Sequence, residues 1–261
     1  MSRRLFRHAR IRSSRGPRVV ALVACVATMV LVLPPGQASA QRSPLGNPSA
    51  FTVYTMDEAP QALGRWDPCT PIGYRVNRAQ GTRGAITDVK KAIHRISKAT
   101  GLRFVYRGQT TIVPQALWAD DAYPADTQLI IAWIRPSQST LWPSAGITIN
   151  GQDTGAGRGG SWHVHATDTS GRLWGRYNRG FVLLNARMRF PAGFRAIGPA
   201  GSRGRELMHE LGHVVGLDHP RIGGRQQIMY PELTRKHSRW GRGDLAGLRI
   251  VGARGGCLVD V

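Results

Sequence analysis

The stretch His-Glu-Leu-Gly-His-Val-Val-Gly-Leu-Asp-His, residues 209–219, constrains this chain more than any other feature of its sequence. On an α-helix, positions i and i+4 lie on one face, so His209 and His213 present their imidazoles to the same point. Gly216 follows where a helix can end, because glycine adopts a left-handed conformation at little cost. The chain can then turn back and carry His219 toward the same point. The spacing predicts a helix, a tight turn and three convergent imidazoles.

Three convergent imidazoles with a neighbouring carboxylate are typical of a catalytic zinc site. Zinc binds imidazole nitrogen at about 2.0–2.1 Å, and its catalytic sites have three protein ligands and one open position. We therefore predict His209, His213 and His219 as zinc ligands. Glu210 stands beside the first ligand and can reach the open position without binding the metal. The alternative, a helix with ordinary surface or core histidines, requires five residue types at fixed spacing by chance.

The same segment resembles the extended zinc signature of the metzincin metallopeptidases, and its wording is similar to that of the matrixins. Met229, in Ile-Met-Tyr-Pro, resembles the methionine turn of that clan. Weaker similarity to secreted, matrixin-like bacterial enzymes covers about residues 65–258. Pro220 departs from the matrixin pattern and is similar to serralysins. No latency cysteine motif is recognisable.

The resemblance implies an α+β fold: a metzincin-like zincin domain with a mixed, mostly parallel sheet, an active-site helix and a C-terminal helix. It implies a zinc endopeptidase, in which zinc polarises the scissile carbonyl and acidifies a water. Glu210 then takes the proton of that water as general base and returns it to the leaving amine. Met229 packs under the ligands without coordinating. A protein or peptide substrate lies along an edge strand near residues 159–165, with Pro231 and Leu233 walling the first primed-side pocket.

Further metal ions find little support in the sequence. No calcium loop and no second-zinc loop is recognisable, so one catalytic zinc ion is expected. His163, His165 and Asp168 could hold another metal, since alternate strand residues share a face. A solvated edge strand is the favoured interpretation of that segment.

The N-terminal residues predict export. Residues 1–40 contain seven arginines and no acid, then an apolar run at 19–33 and the ending Ala-Ser-Ala. This is the layout of a cleaved signal peptide; an uncleaved anchor would need about 20 apolar residues. We therefore expect a signal peptide at 1–40, a flexible N-terminus or short prosegment at 41–64, and a catalytic domain at 65–261. The expected location is extracellular, or membrane-anchored through residues 19–33 if the signal is retained.

Two cysteines, Cys69 and Cys257, remain after removal of the signal peptide. An even pair in an oxidising compartment predicts one disulfide, with two unpaired buried thiols as the alternative.

The charge of the chain is strongly basic. Without residues 1–40 it still carries 29 basic and 15 acidic residues, which indicates affinity for anionic polymers of a cell surface. The arginines are scattered and no nucleic-acid motif accompanies them, so specific nucleic-acid binding is not expected. We expect a monomer. A different class of function is a non-catalytic zinc-containing protein that binds cell-surface polyanions.

Hydrophobic periodicity predicts the regular elements. The expected strands lie at 72–76, 102–106, 129–134, 162–166 and 181–184, and residues 136–161 are expected to be loop. The expected helices are 84–100, 203–215 with Ser202 as N-cap, and a last helix through Val251 capped by Asp244.

Overall fold

The computed structural model describes residues 45–116, 122–142, 148–149, 152–153, 155–195, 201–232 and 238–260. The predicted signal peptide at 1–40 lies outside these residues, and so does Leu233. Within the described part of the chain, no helix has the length and apolar character needed to cross a membrane.

The described residues form eleven strands, three α-helices and three short 3₁₀ helices. In chain order the strands and α-helices are β1 (Thr52–Val53), β2 (Gly64–Trp66), β3 (Ile72–Asn77), α1 (Ala85–Thr100), β4 (Phe104–Gln109), β5 (Leu129–Ile134), β6 (Thr148–Ile149), β7 (Gln152–Asp153), β8 (Gly157–Asp168), β9 (Leu173–Asn185), α2 (Arg203–Val214), β10 (Leu217–Asp218), α3 (Arg242–Val251) and β11 (Leu258–Asp260).

The main sheet has the strand order β11-β8-β9-β5-β3-β4, and β2 pairs with β9 beside this path. The pairs β3–β4, β3–β5, β5–β9 and β2–β9 are parallel, whereas β8 pairs antiparallel with both β9 and β11. The sheet is therefore mixed and mostly parallel, as predicted.

Strand β5 lies at the centre of the sheet and is buried on both faces. Because successive strand residues point to opposite faces, its side chains divide between two cores. Leu129, Ile131 and Trp133 join the large core that contains the helices. Ile130 and Ile134 join the smaller core on the other face. A parallel strand covered on both faces reads as a continuous apolar run, which explains why this element was predictable.

The predicted helices are confirmed with small shifts at their ends. Helix α1 buries Val89, Ile93 and Ile96 at helical spacing. It stops at Gly101, whose φ is +79° and whose N–H donates to Ser97 O. Helix α3 ends at Val251 as predicted, but it begins at Arg242 with Gly241 as N-cap. Asp244 was wrongly predicted as the cap: it lies in the first turn, where its carboxylate accepts the Gly241 N–H.

Strands β8 and β9 are much longer than the predicted 162–166 and 181–184. They form an antiparallel pair from Gly157↔Leu184 to Thr167↔Leu173, so the end of the expected loop 136–161 is strand. Their added residues are rich in glycine and arginine and show no apolar alternation. Backbone pairing between the two strands, rather than side-chain pattern, determines their length.

The range 41–64, predicted to be flexible or a prosegment, contains packed structure in its described part. Strand β1 pairs with β10, which lies directly after the active-site helix of the prediction. Met56 and Ala62 are buried and close a small cluster of their own. The N-terminal segment therefore lies beside the metal-binding sequence.

The predicted disulfide is present and joins Cys69 to Cys257, with a Cα–Cα distance of 5.4 Å. Nearby, the buried guanidinium of Arg65 donates to the carbonyls of Gly255 and Gly256, at 2.9 and 2.8 Å. These contacts fasten the C-terminal end of the chain to the start of the sheet.

Candidate metal centre

Helix α2 carries the first part of the centre. Its N-cap is Ser202, as predicted, whose hydroxyl accepts a hydrogen bond from Arg205 N. All twelve residues of the helix are buried. Gly216 follows with a φ of +112°, a conformation that favours glycine. A Cβ at this position would lie 2.7 Å from Gly64 O, so the turn also requires the absence of a side chain.

The turn brings the three predicted ligands together. The Nε2 atoms of His209 and His213 each lie 3.2 Å from Nε2 of His219. His209 and His213 are almost fully buried, and His219 is half-buried. Each of the three rings therefore directs its own Nε2 atom at a common centre.

The opposite ring nitrogens are held by the backbone. Nδ1 of His209 lies 2.7 Å from the carbonyl of Ile228, and Nδ1 of His213 lies 2.8 Å from that of Leu217. A carbonyl only accepts, so Nδ1 carries the proton and donates, and Nε2 is left with its lone pair.

Electrostatics keep these imidazoles neutral. Burial lowers the pKa of His209 well below its ordinary value, and neighbouring His213 lowers it further. Burial lowers the pKa of His213 to about 4, with His219 acting in the same direction. Neutral imidazole is the form that binds metal.

The donor set fits one zinc ion. Tetrahedral ligands at about 2.0–2.1 Å from zinc lie about 3.3 Å apart, close to the separations seen here. The Nε2 atoms of His209 and His213 have no proton to donate, so both of their lone pairs are available to a cation at the common centre. Of the described residues, the other group with metal-ligand spacing is Asp67, Cys69 and Cys257, and its cysteines are joined as a disulfide.

Glu210 lies at the same centre, under strand β8. Gly159 N–H donates to its carboxylate. A Cβ at Gly157 would lie 2.8 Å from the Glu210 carboxylate, and one at Gly159 would lie 2.1 Å from its carbonyl oxygen. The two glycines therefore allow β8 to pass directly over the helix and hold the Glu210 side chain.

A second carboxyl group, Glu206, was not predicted. It lies one turn before Glu210 on α2, is 4% exposed and shares a hydrogen bond with it. Two carboxyl groups can share such a bond only around a proton. Burial, and then the charge of Glu206, raises the pKa of Glu210 well above its ordinary value. The i, i+4 spacing to Glu210 was a usable signal in the sequence.

Tyr54 also escaped prediction, because it is 159 residues from the ligand that it contacts. Its Oη lies 3.2 Å from Nδ1 of His213. It also hydrogen bonds to Asp218, whose carboxylate accepts from the N–H of His219 at 2.6 Å. Burial, and then the charge of Asp218, raises the pKa of Tyr54, so the phenol keeps its proton. Tyr54 therefore links one ligand to the chain segment that carries another.

The Met229 side chain packs against α2 at Gly212, in the helical turn that separates His209 from His213. A Cβ at Gly212 would be 2.2 Å from its sulfur, so the helix approaches the methionine through a glycine. The N–H groups of Ile228 and Met229 donate to the carboxylate of Asp244. Helix α3 thus fixes the segment that holds both Met229 and the carbonyl partner of His209.

A cleft of about 550 Å³ opens above these groups. The three histidines, Glu206, Glu210 and Tyr54 line it together with β8 residues 157–159 and Pro231. Strand β11 covers the outer side of β8 only at residues 166–168. Among the described strands none pairs with that side at 159–165, where the substrate was predicted to lie.

His163, His165 and Asp168, the alternative metal group considered from the sequence, do not share a common centre: Asp168 has other partners than the two histidines. The Asp168 carboxylate is occupied by Trp174 Nε1, at 2.8 Å, and by the Ser170 side chain and backbone N–H. These donors lower its pKa. Both histidines contact Glu58 instead.

Comparison with known proteins adds little to this geometry. No protein-family model matches the chain, and no curated protein sequence matches it. Among solved structures the chain is similar to High choriolytic enzyme 1 (HCE-1), a hatching enzyme zinc-protease from Oryzias latipes (Medaka fish), with a TM-score of 0.29 and 14% identity. The match covers 59% of this chain and half of that one. At this TM-score the likeness carries no argument, and the cleft itself has to support a function.

Proposed function

We propose that this chain is a secreted zinc-dependent endopeptidase of the metzincin type, similar to matrixins, with Glu210 as its general base. The observation that carries the proposal is the convergence of three imidazole Nε2 atoms beside a buried carboxyl in an open cleft. A structural zinc site would use four protein ligands and need no adjacent acid.

His209, His213 and His219 would hold the metal. Bound zinc supplies a Lewis acid that polarises the scissile carbonyl and lowers the pKa of a water. Glu210 accepts a proton at its carboxylate and returns it to the leaving amine. Gly159 N–H orients that carboxylate through its hydrogen bond.

The walls of the cleft suit an extended peptide. No described strand pairs with the outer side of β8 at residues 159–161, and we propose that a substrate strand adds there, as in other cases of strand addition. Pro231 lines the same cleft as the metal ligands. We assign it to the first primed-side pocket, together with Leu233. The Met229 side chain forms the apolar floor.

Paired measurements of zinc content and peptide cleavage test this proposal. Glu210→Ala should keep the zinc ion of the three-histidine centre and lose about 10²–10⁴-fold in cleavage rate, the usual worth of a positioned general base. His213→Ala should lose that ion and the activity. Asp126→Ala is the control, because Asp126 is an exposed partner of Arg75 and should leave both readouts unchanged.

Two results would contradict the proposal. A Glu210→Ala variant as active as wild type would rule out the general base. A wild type that binds zinc but cleaves nothing in a diverse peptide library would favour the non-catalytic binding protein.

Export is part of the same proposal. N-terminal sequencing of protein from the culture medium should begin at Gln41 or shortly after. Secreted or membrane-bound protein that still begins near Met1 would show that the signal is retained. Salt-dependent retention of the secreted protein on an anionic polymer tests the proposed surface association.

A further inference from the structure

A second cluster of ligating side chains lies on strand β8, and none of its members lines the cleft described above. Nε2 of His163 is 3.0 Å from Oε1 of Glu58, and Nε2 of His165 is 3.3 Å from the same oxygen. His163 and His165 are alternate residues of one strand, so their side chains share a face. Two imidazoles of β8 therefore contact a single oxygen atom, Oε1 of Glu58, which belongs to a separate segment.

We propose that Glu58, His163 and His165 form a second zinc site, which fastens the loop at 56–62 to strand β8. Imidazole nitrogen and carboxylate oxygen are both good zinc ligands. In this structure His163 hydrogen bonds to Glu58 and His165 makes a polar contact with the same oxygen. Both contact lengths are close to the spacing of about 3.3 Å between nitrogen and oxygen ligands of a tetrahedral zinc.

The surrounding packing holds these residues in place. Gly175 faces His165 on the neighbouring strand β9. A Cβ at Gly175 would meet the Met56 side chain at 3.0 Å and His163 Cδ2 at 3.2 Å. Because Gly175 has no side chain, there is room for the His163 imidazole and for the buried side chain of Met56, which lies two residues before Glu58. The loop is closed by hydrogen bonds between Met56 and Ala62 and between Ala59 and Met56.

The cluster is open in this structure. The three ligand atoms are not all within 4.8 Å of one another, unlike those of the described His209, His213 and His219 group. Closure on an ion requires the carboxylate to turn and the imidazoles to approach each other. The Glu58 and His165 side chains are 50% and 55% exposed, so both can rotate. We therefore expect weaker binding than at the buried three-histidine centre.

Occupancy of this site has a consequence for the N-terminal segment. Tyr54, which contacts His213, precedes Met56 by two residues. A metal ion at Glu58 would cross-link the loop to β8 and hold this segment on the domain. The proposal does not depend on the endopeptidase function, because it concerns different residues and a different readout.

Zinc titration of the metal-stripped full chain tests the site, with calorimetry and elemental analysis as readouts. Wild type should take up two zinc ions, and the double variant His163→Ala/His165→Ala only one. His213→Ala should retain one ion, at the Glu58 cluster. His94→Ala removes an exposed histidine of α1 and should match wild type.

Glu58→Gln is the second variant, needed if the double variant fails to fold. In the His213→Ala background it should weaken zinc binding at least about tenfold. Zinc should raise the Tm of His213→Ala by binding its folded state, and Glu58→Gln should abolish this rise. Equal zinc uptake by wild type and the double variant, or unchanged affinity in Glu58→Gln, would overturn the proposal and leave a surface ion pair only.

Discussion

Asp244 offers a sharp test of how the fold supports the centre. Its carboxylate accepts backbone N–H bonds from Ile228 at 2.6 Å, Met229 at 3.2 Å and Gly241 at 2.8 Å. The carbonyl of Ile228 in turn accepts from His209. One side chain therefore fixes both the start of α3 and the segment that holds Met229.

The expected cost follows from the number of donors that lose their acceptor. Asp244 is 1% exposed, and a buried N–H without a partner costs about 1–3 kcal/mol. Asp244→Ala removes the acceptor of three such groups, and water entering the new cavity would recover part of the loss. We expect a loss of about 3–6 kcal/mol. Asp244→Asn keeps the volume and one oxygen, so it should cost about 1–3 kcal/mol.

Urea unfolding above the pKa of Asp244 measures this loss. Burial raises that pKa to about 6 against the opposing effect of its N–H donors, so pH 7.5 keeps the carboxylate ionised. Asp126→Ala is the control: it removes an exposed carboxylate that pairs with Arg75 and Arg107 and accepts from the Thr127 hydroxyl, and it should change stability by about 1 kcal/mol. Unfolding free energies of Asp244→Ala and Asp126→Ala within 1 kcal/mol of each other would refute the reasoning, as would Asp244→Asn being the less stable of the two Asp244 variants.

Four further outcomes are expected. Replacing Cys69 and Cys257 by serine should destabilise the fold by up to about 5 kcal/mol, since the bond closes a loop of 188 residues; chemical unfolding measures this, and an unchanged midpoint would contradict it. Gly159→Ala puts a Cβ 2.1 Å from a carbonyl oxygen of α2, so it should lower Tm and cleavage together, whereas retention of both would show that β8 can move away. Tyr54→Phe removes one contact to a ligand imidazole and should speed zinc loss to a chelator about tenfold, with equal rates as the refuting result. In the metal-free protein the pKa of His213 is about 4, below the ordinary 6.5, so the unfolded state takes up a proton at a higher pH than the folded state. The free energy of unfolding should therefore fall as the pH drops from 6.5 to 4. A free energy that stays constant over this range in the presence of a chelator would refute the reasoning.

The metal ligands were predictable because their geometry is local. An i, i+4 pair, a helix-ending glycine and a third histidine lie within eleven residues, and each obeys backbone rules that need no distant partner. The central strand β5 was predictable for a related reason, since burial on both faces leaves an unbroken apolar run.

The remaining features depend on contacts between distant residues. Tyr54 reaches His213 only because β1 pairs with β10, and no property of the sequence around Tyr54 marks that pairing. Strand β8 begins in a glycine-rich stretch that resembles a loop, yet the lack of side chains at Gly157 and Gly159 is what lets it lie on α2. Composition alone could not separate a flexible glycine from one selected for close approach.

The complete burial of α2 limits how the specificity of this protein can change. Every one of its twelve residues packs against the rest of the protein or faces the cleft, so a substitution on the helix perturbs stability and the ligands at once. Pro231 and Glu232 line the cleft after Met229 and are exposed, so they carry no such double constraint. Engineering or natural divergence toward new peptides should therefore accumulate changes at these positions and leave the helix nearly invariant.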